Sequence, residues 1–366
     1  MKQEQEPAGT EVTEVAPGVL RMQLPISMPG LGHVNMYALE DERGLAIVDP
    51  GLPGPASWKA ITQRLKSAGM KVADVHSIII THSHPDHFGG VGKLAEESGG
   101  AEVITHSAFR SWWTPHSHSD AGDDVIHDVH PDDLPAPLDP LSGGGGPWGN
   151  GKTPWGTKSD FQAPGKRSLR TRLMMSKLAR NQIMRRMSPP DPSVRLKNGD
   201  VIKLARREWF AVHTPGHTLD HLCLHDPESG VVVSGDHVLP TITPHIGGLN
   251  SGRDPLALFF ESLDRVAALD NVRQVLPAHG HPFPDLRART DAIKAHHIER
   301  LAKLESVAAE MPQGRGSVEE FSHHLFREAR WGSMAESETY AHLEHLRHAG
   351  RAEVHDEDGV LIYQLG

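Results

Sequence analysis

The chain has 366 residues, enough to bury a large core, and one large domain with a smaller appendage is the expected organisation. A formal charge of −10 argues against a general nucleic-acid surface, and the single cysteine, Cys223, excludes an internal disulfide and a cysteine zinc cage, so any metal has to be held by the 26 histidines and the carboxylates. No apolar run approaches the roughly twenty residues a membrane span needs, and residues 1–7 lack the apolar core of a signal peptide, so a soluble cytoplasmic protein is expected.

Residues 11–52 read as a meander of three strands, 19–24, 34–39 and 44–49, closed by Asp49-Pro50-Gly51. Residues 56–68 have helical spacing, with Trp58, Ile61 and Leu65 on one face, and lead into the apolar, β-branched strand 75–80. Where that strand stops stands Thr81-His82-Ser83-His84-Pro85-Asp86-His87-Phe88-Gly89-Gly90. In extended backbone, residues two apart share a side, so His82 and His84 can face one metal ion while Ser83 faces away. Pro85 forces a turn, which lets Asp86 and His87 address a second position nearby, and Gly89-Gly90 permits close backbone approach before the helix at 91–97. The alternative is a solvated histidine-rich loop, which the position at the end of an apolar strand disfavours.

Residues 101–106 form the next strand, and His106 at its end reads as structural. From 107 to 192 the α/β rhythm is lost: an insertion carries His116, His118, His127 and His130, a run of four glycines at 143–146, and then a basic stretch. Between Lys152 and Arg186 there are ten Lys or Arg against one Asp, with Leu and Met residues at helical spacing. One reading is a solvated face packed on the domain through its apolar side; the other is a lid that attracts an anionic substrate, and membrane-surface docking is a third. On the lid reading Arg170, Arg172 and Lys177 are candidate substrate contacts, and His237 is a fourth.

Strands 201–204 and 209–212 lead to His213-Thr214-Pro215-Gly216-His217-Thr218, in which His213 sits within the strand end and reads as structural. Strands 222–225 and 231–234 pair as a hairpin that delivers Ser234-Gly235-Asp236-His237, and residues 275–280 are another apolar strand ending in His279. The remainder reads as a helix over 286–309, a break at 311–314, a helix opened by a Ser317 to Glu320 capping box, a helix over 337–349 and a hairpin of 351–354 with 360–363.

The pattern His82-x-His84-x-Asp86-His87 resembles the hallmark of the metallo-β-lactamase superfamily, and His217, Asp236 and His279 follow in that family's order. The resemblance implies an α/β chain folded as a four-layer αββα sandwich over residues 1–290, interrupted by the 107–192 insertion. It implies one metal position held by His82, His84, His217 and Asp236, and another held by Asp86, His87, His279 and Asp236, with Asp49 orienting the histidines from behind. Two divalent ions follow, zinc foremost and manganese or iron as alternatives. The implied activity is a hydrolase using a metal-bridging hydroxide, with Asp86 or Asp236 accepting a proton. A carboxylic ester or thioester, anionic in the manner of a coenzyme A ester, is the leading substrate, by resemblance to glyoxalase II; RNA phosphodiesters and a mononuclear-iron persulfide dioxygenase chemistry are the alternatives. Residues 291–366 resemble the small winged-helix domain of lactamase-β-like-2 relatives. From Arg300 onward there are seven basic against twelve acidic residues, so packing or homodimerisation is favoured over nucleic-acid binding there.

Overall fold

A computed structural model describes residues 2–28, 30–110, 153–157, 191–248 and 253–366. Arg170, Arg172, Lys177, the histidines of the insertion and nearly all of the basic stretch lie outside these residues. The described chain forms two compact units, one drawn from Met1–Asp128, Met175–Pro244 and Ser262–Thr290, the other from Val129–Met174, His245–Glu261 and Asp291–Gly366.

The first unit is built on two sheets. Seven strands run side by side in chain order: β1 (Val12–Ala16), β2 (Val19–Met28), β3 (Leu31–Asp41), β4 (Gly44–Val48), β5 (Val75–Ile79), β6 (Glu102–His106) and β7 (Val194–Leu196). The first four are antiparallel, whereas β4 to β7 pair in parallel, with α1 (Pro55–Ser67) between β4 and β5 and α2 (Pro85–Phe88) and α3 (Val91–Glu97) between β5 and β6. The meander thus has one strand more than the sequence pattern indicates. Thr13 and Glu14 of β1 are exposed, so this edge strand lacks the apolar alternation that marks the others.

The second sheet has the order β12-β11-β10-β9-β8, formed by β8 (Val201–Leu204), β9 (Arg207–His213), β10 (Leu222–Asp226), β11 (Val231–Gly235) and β12 (Gln274–Pro277). Only β11 and β12 are parallel, and α4 (Pro255–Ala267) lies between them in the chain.

Period-two alternation decides which side chains meet. Tyr37, Leu39, Val48, Ile79 and Ile104 of the first sheet share a core with Trp209, Ala211, Leu224, Val233 and Leu276 of the second. Their alternates Met36, Ala38, Ile47, Ile78 and Val103 face outward onto Ile61 and Leu65 of α1 and Val91 and Leu94 of α3. A slip of one residue would exchange these faces, so the register of every central strand is fixed by burial on both sides. On the far side of the second sheet Cys223, Val232 and Val275 are buried, as are Leu263 and Val266 of α4. The result is a helix, sheet, sheet, helix sandwich. Its ligand-bearing loops all follow strands β5, β9, β11 and β12.

The second unit contains the later part of α5 (Leu286–Glu310), β13 (Arg315–Ser317), α6 (Val318–Leu325), α7 (Ser333–His348), β14 (Ala352–Glu357) and β15 (Val360–Leu365), with strand order β13-β15-β14. Ser317 caps α6: its hydroxyl accepts from the Glu320 amide at 3.2 Å while Glu320 Oε2 accepts from the Ser317 amide at 2.8 Å. Helix α7 starts at Ser333, a turn before the residue indicated by the sequence, with Gly332 at its N-cap. Residues 153–157 belong here, and Trp155 is fully buried against a cluster that includes Leu304, Phe321, Leu343 and Tyr363.

Candidate metal centre

Strand β5 ends at Ile79, and the motif follows at the sheet's carboxyl edge. His84 keeps extended backbone and precedes α2, a single turn with Pro85 at its first position, where the missing N–H costs nothing. That turn sets Asp86 and His87 in a second donor group with His279. The loop then packs with no room to spare: a Cβ on Gly89 would lie 2.1 Å from Pro53 Cδ, and one on Gly90 would lie 2.2 Å from the Pro50 carbonyl oxygen.

Two groups of donor atoms converge, His82, His84, His217 and Asp236 in one and Asp86, His87 and His279 in the other. In the first, His84 Nδ1 is 3.0 Å from His82 Nε2 and 3.1 Å from His217 Nε2, and Asp236 Oδ2 lies 3.6 Å from His217 Nε2 and 3.9 Å from His82 Nε2. A tetrahedral ion with bonds of about 2.0–2.1 Å holds its ligand atoms roughly 3.3 Å apart, so the spacing suits a metal. It suits hydrogen bonding less well, since one ring nitrogen has either one proton or one lone pair to offer and His84 Nδ1 meets two partners. In the second group Asp86 Oδ2 is 3.5 Å from His279 Nε2 and 3.7 Å from His87 Nε2. Asp236 reaches this group too, with Oδ2 3.6 Å from His87 Nε2 and Oδ1 3.3 Å from His279 Nε2. His87 Nε2, His279 Nε2 and Asp236 Oδ1 are buried without a hydrogen-bond partner, a costly arrangement that bound cations would relieve. These residues fit a pair of divalent ions.

The electrostatics agree. Burial lowers the His279 imidazole, but the Asp236 and Asp86 carboxylates outweigh it and push the group up to about 10. His87 is raised well above its ordinary value against burial, chiefly by Asp86 and then Asp49 and Asp236. Burial and the neighbouring His217 hold His84 down at about 3. The second group therefore gathers protons as substitutes for a cation, and cation binding must release them.

His82, His87 and Asp236 are each held from behind. Asp49, at the end of β4 with φ +52°, accepts from the Thr81 amide at 2.9 Å, from the Thr81 hydroxyl at 2.7 Å and from His87 Nδ1–H at 2.8 Å. Thr81 Oγ1 is also 3.0 Å from His82 Nδ1, so one carboxylate orients two ligands. His221 Nε2 accepts from the Asp236 amide at 3.1 Å, and its Nδ1–H donates to Thr214 Oγ1 at 2.7 Å. Gly235, with φ +51°, is required where it stands, because a Cβ there would lie 2.7 Å from His221 Nε2. The Ser83 hydroxyl, on the side away from the ions, donates to Asp220 Oδ1 at 3.0 Å.

The turn bearing His279 rests on β3. Asn35 Nδ2 donates to the Pro277 and Gly280 carbonyls at 2.8 and 2.9 Å, and the Tyr37 hydroxyl donates to the Pro277 carbonyl at 2.7 Å. This support is absent from the sequence reading, although the alternation of polar His33, Asn35 and Tyr37 with apolar Val34, Met36 and Ala38 marks it. His213 and His106 are structural: their rings stack at 3.7 Å, and His213 Nε2 donates to the Leu219 carbonyl at 2.7 Å. His237, a candidate substrate contact, is fully buried, with its ring 5.8 Å from that of His221.

The sequence profile described as the metallo-β-lactamase superfamily matches residues 29–279, which contain every ligand named above. The chain belongs to the metallo-β-lactamase superfamily. A solved structure of a metallo-β-lactamase family protein from Thermus thermophilus superposes with a TM-score of 0.71 at 26% identity, covering 96% of this chain and all of that one. Among curated proteins, the probable metallo-hydrolase YqjP of Bacillus subtilis is 23% identical over 74% of each chain. The atrochrysone carboxyl ACP thioesterase AacuM of Aspergillus aculeatus is 30% identical over 132 residues, which span 35% of this chain and 40% of that protein. This superfamily member is a metallo-hydrolase with a histidine and aspartate site for divalent metal. Among the described residues no helix is long and apolar enough to cross a membrane.

Proposed function

We propose that this metallo-β-lactamase superfamily member is a binuclear hydrolase of carboxylic thioesters or esters, with zinc as its metal. The observation that carries the binuclear reading is the placement of Asp236, whose carboxylate lies 3.6 Å from His217 Nε2 on one side and 3.6 and 3.3 Å from His87 and His279 Nε2 on the other. A carboxylate has two oxygens and can serve two cations at once. His82, His84, His217 and Asp236 would hold one ion and Asp86, His87, His279 and Asp236 the other. When bound, the ions supply Lewis acidity toward a carbonyl oxygen and lower the pKa of water so that a nucleophile exists near neutral pH. Asp86 and Asp236 are the buried carboxylates available to take a proton as the acyl bond breaks. Asp49 and His221 keep the ligand rings and the Asp236 backbone fixed, so that no reorganisation is spent during turnover.

The thioester preference is supported by the thioesterase name of one relative, and the nitrogen and oxygen donor set is compatible with zinc as it is with manganese or iron. We further propose that the second unit is a winged-helix module that serves packing or dimerisation. Acidic Asp356, Glu357 and Asp358 at its hairpin are exposed and disfavour a phosphate backbone. The test is turnover of acyl coenzyme A thioesters, simple esters and a single-stranded RNA by the zinc-loaded full chain, with metal counted per chain. Thioester cleavage with two zinc ions per chain is expected. Salt-sensitive RNA cleavage, or one iron per chain with oxygen consumption, overturns the reading.

A further inference from the structure

We propose that the segment Gln3 to Glu6, together with His33, is a latch that positions the metal ligand His279 and the loop behind Asp236. The inference rests on the two-metal reading above and assigns residues to it that lie outside the ligand motifs.

The 3₁₀ turn Gln3–Gln5 buries the Glu4 side chain completely. A carboxylate taken out of water needs donors, and Glu4 has three: Oε1 accepts from the Thr241 and Ile242 amides at 2.7 and 3.0 Å, and Oε2 accepts from the Thr241 hydroxyl. Those two residues stand five and six positions after Asp236. On the other side, Gln3 Oε1 accepts from the His281 amide at 3.1 Å, and Glu6 Oε2 is 2.9 Å from His281 Nε2.

The link to the metal ligand runs through His33. Its Nε2 is 3.0 Å from the Gly280 amide, which can only donate, and its Nδ1 is 2.8 Å from the Glu6 carbonyl, which can only accept. The ring is therefore neutral and carries its proton on Nδ1. The His33 carbonyl in turn accepts from His279 Nδ1–H at 2.6 Å, which holds the ring with Nε2 on the side of Asp86 and Asp236, where it can bind metal once its proton is released. His33 thus joins the Glu6 carbonyl and the Gly280 amide through its ring and the His279 ring through its carbonyl. Gly32 has no room for a side chain, since a Cβ would lie 2.3 Å from the Glu6 carbonyl oxygen. A segment that only had to dock could do so with apolar side chains. This one buries a carboxylate and an imidazole against the two turns that bring Asp236 and His279 to the metals.

The test is zinc titration of the full chain against a chromophoric chelator, comparing wild type with His33→Ala, Glu4→Ala and Glu4→Gln. Loss of an outer partner weakens metal binding by about 10–100-fold, and because His33→Ala keeps the carbonyl to which His279 donates and frees only the Gly280 turn, about 10-fold is expected of the alanine variants. Two zinc equivalents are expected in the wild type. In His33→Ala and Glu4→Ala one of them weakens by that factor while the other holds. Glu4→Gln is expected to recover the affinity, because its Oε1 still meets both amides. Folded alanine variants that retain both equivalents at wild-type affinity overturn the latch. If the alanine variants do not fold, hydrogen exchange on the wild type decides: zinc must slow exchange at the Thr241, Ile242 and Gly280 amides, and unchanged exchange overturns the proposal. A wild type that takes a single zinc overturns the two-metal reading instead, and the latch is then read from the affinity of that one ion.

Discussion

Replacing Asp49 by Asn tests how the site is held, because it keeps the side chain's shape while exchanging one carboxylate oxygen for an amino group and removing the negative charge beside His87. The backbone tolerates the change, since Asn accepts the left-handed φ of +52° at this position as readily as Asp does. The amide oxygen can keep the 2.9 Å bond from the Thr81 backbone, but the amino group then faces Thr81 Oγ1 and His87 Nδ1, both donors to the native carboxylate at 2.7 and 2.8 Å. Thr81 can rotate its hydroxyl. His87 can adapt only by moving its proton to Nε2, the atom that must be free to bind metal. Turning the amide over sets its amino group against the Thr81 N–H instead. Either arrangement leaves a buried donor opposed, at about 1–3 kcal/mol. That range matches the roughly 10–100-fold loss of metal affinity expected when an outer partner of a ligand histidine is removed. Isothermal titration of metal-free Asp49→Asn with zinc should show the loss at the position of Asp86, His87 and His279. The His82 position should change less, because the bond between His82 and Thr81 survives. Wild-type affinity at both positions would refute the claim that Asp49 sets the His87 tautomer.

Asp236→Ala should remove one zinc per chain, measured by elemental analysis, together with nearly all turnover; two ions and wild-type rates would show that the carboxylate does not serve both positions. In the second unit His297 Nδ1 and His342 Nε2 lie 3.0 Å apart, both rings fully buried, with His342 Nδ1–H donating to the Glu338 carbonyl at 2.7 Å. Burial, and for His297 also the His342 ring, holds these groups down at about 2 and about 4, respectively, so below pH 6.5 the unfolded chain takes up protons that the folded chain refuses. Stability is complete above pH 6.5 and falls as the pH drops from 6.5 toward 4; at pH 5.5 the two groups together cost about 3 kcal/mol, which urea unfolding at pH 7.5 and 5.5 should register and His342→Gln should reduce. Trp155→Ala should destabilise by about 3–5 kcal/mol in thermal or urea unfolding, since it empties a core position and removes the 2.7 Å bond from Nε1 to Glu336 Oε2. Trp155→Phe should cost less, and an alanine variant as stable as the wild type would show that residues 153–157 do not anchor there.

The convergence of these donor residues was readable because metal chemistry restricts residue type. Only histidine and carboxylate serve here in place of cysteine, and each ligand follows an apolar strand that ends abruptly. His82, His84, Asp86, His87, His217, Asp236 and His279 all come together in the two donor groups. The sandwich was readable for a related reason: residues such as Ile78 and Ile79 are apolar on both sides of the strand, which a chain does only where both faces are covered. Strand β1 escaped notice because an exposed edge imposes no such pattern. Trp155 also escaped. It stands alone between Pro154 and Gly156 in a stretch with no periodicity, and its burial depends on Gly156 approaching the Gly359 carbonyl, where a Cβ would lie 2.2 Å away.

The residues that support the His279 turn were harder to see, because they act on groups more than two hundred positions away and mostly through backbone atoms. Asn35 and Tyr37 hold carbonyls of the turn around His279, and His33 holds an amide and a ring proton there. Backbone partners leave no trace in the partner's sequence, so nothing in residues 277–280 announces the need for a donor at 35. The trace lies only in β3. Three polar residues alternate there with apolar ones, as in a half-solvated strand, yet the three are His, Asn and Tyr with no Lys, Glu or Asp among them. A face that met water would carry charge. A face that must donate and accept at fixed points inside the protein carries neutral groups with defined geometry, and all three are buried. The choice of polar residue, rather than the polar and apolar alternation, separates a scaffold for a metal ligand from an ordinary surface strand.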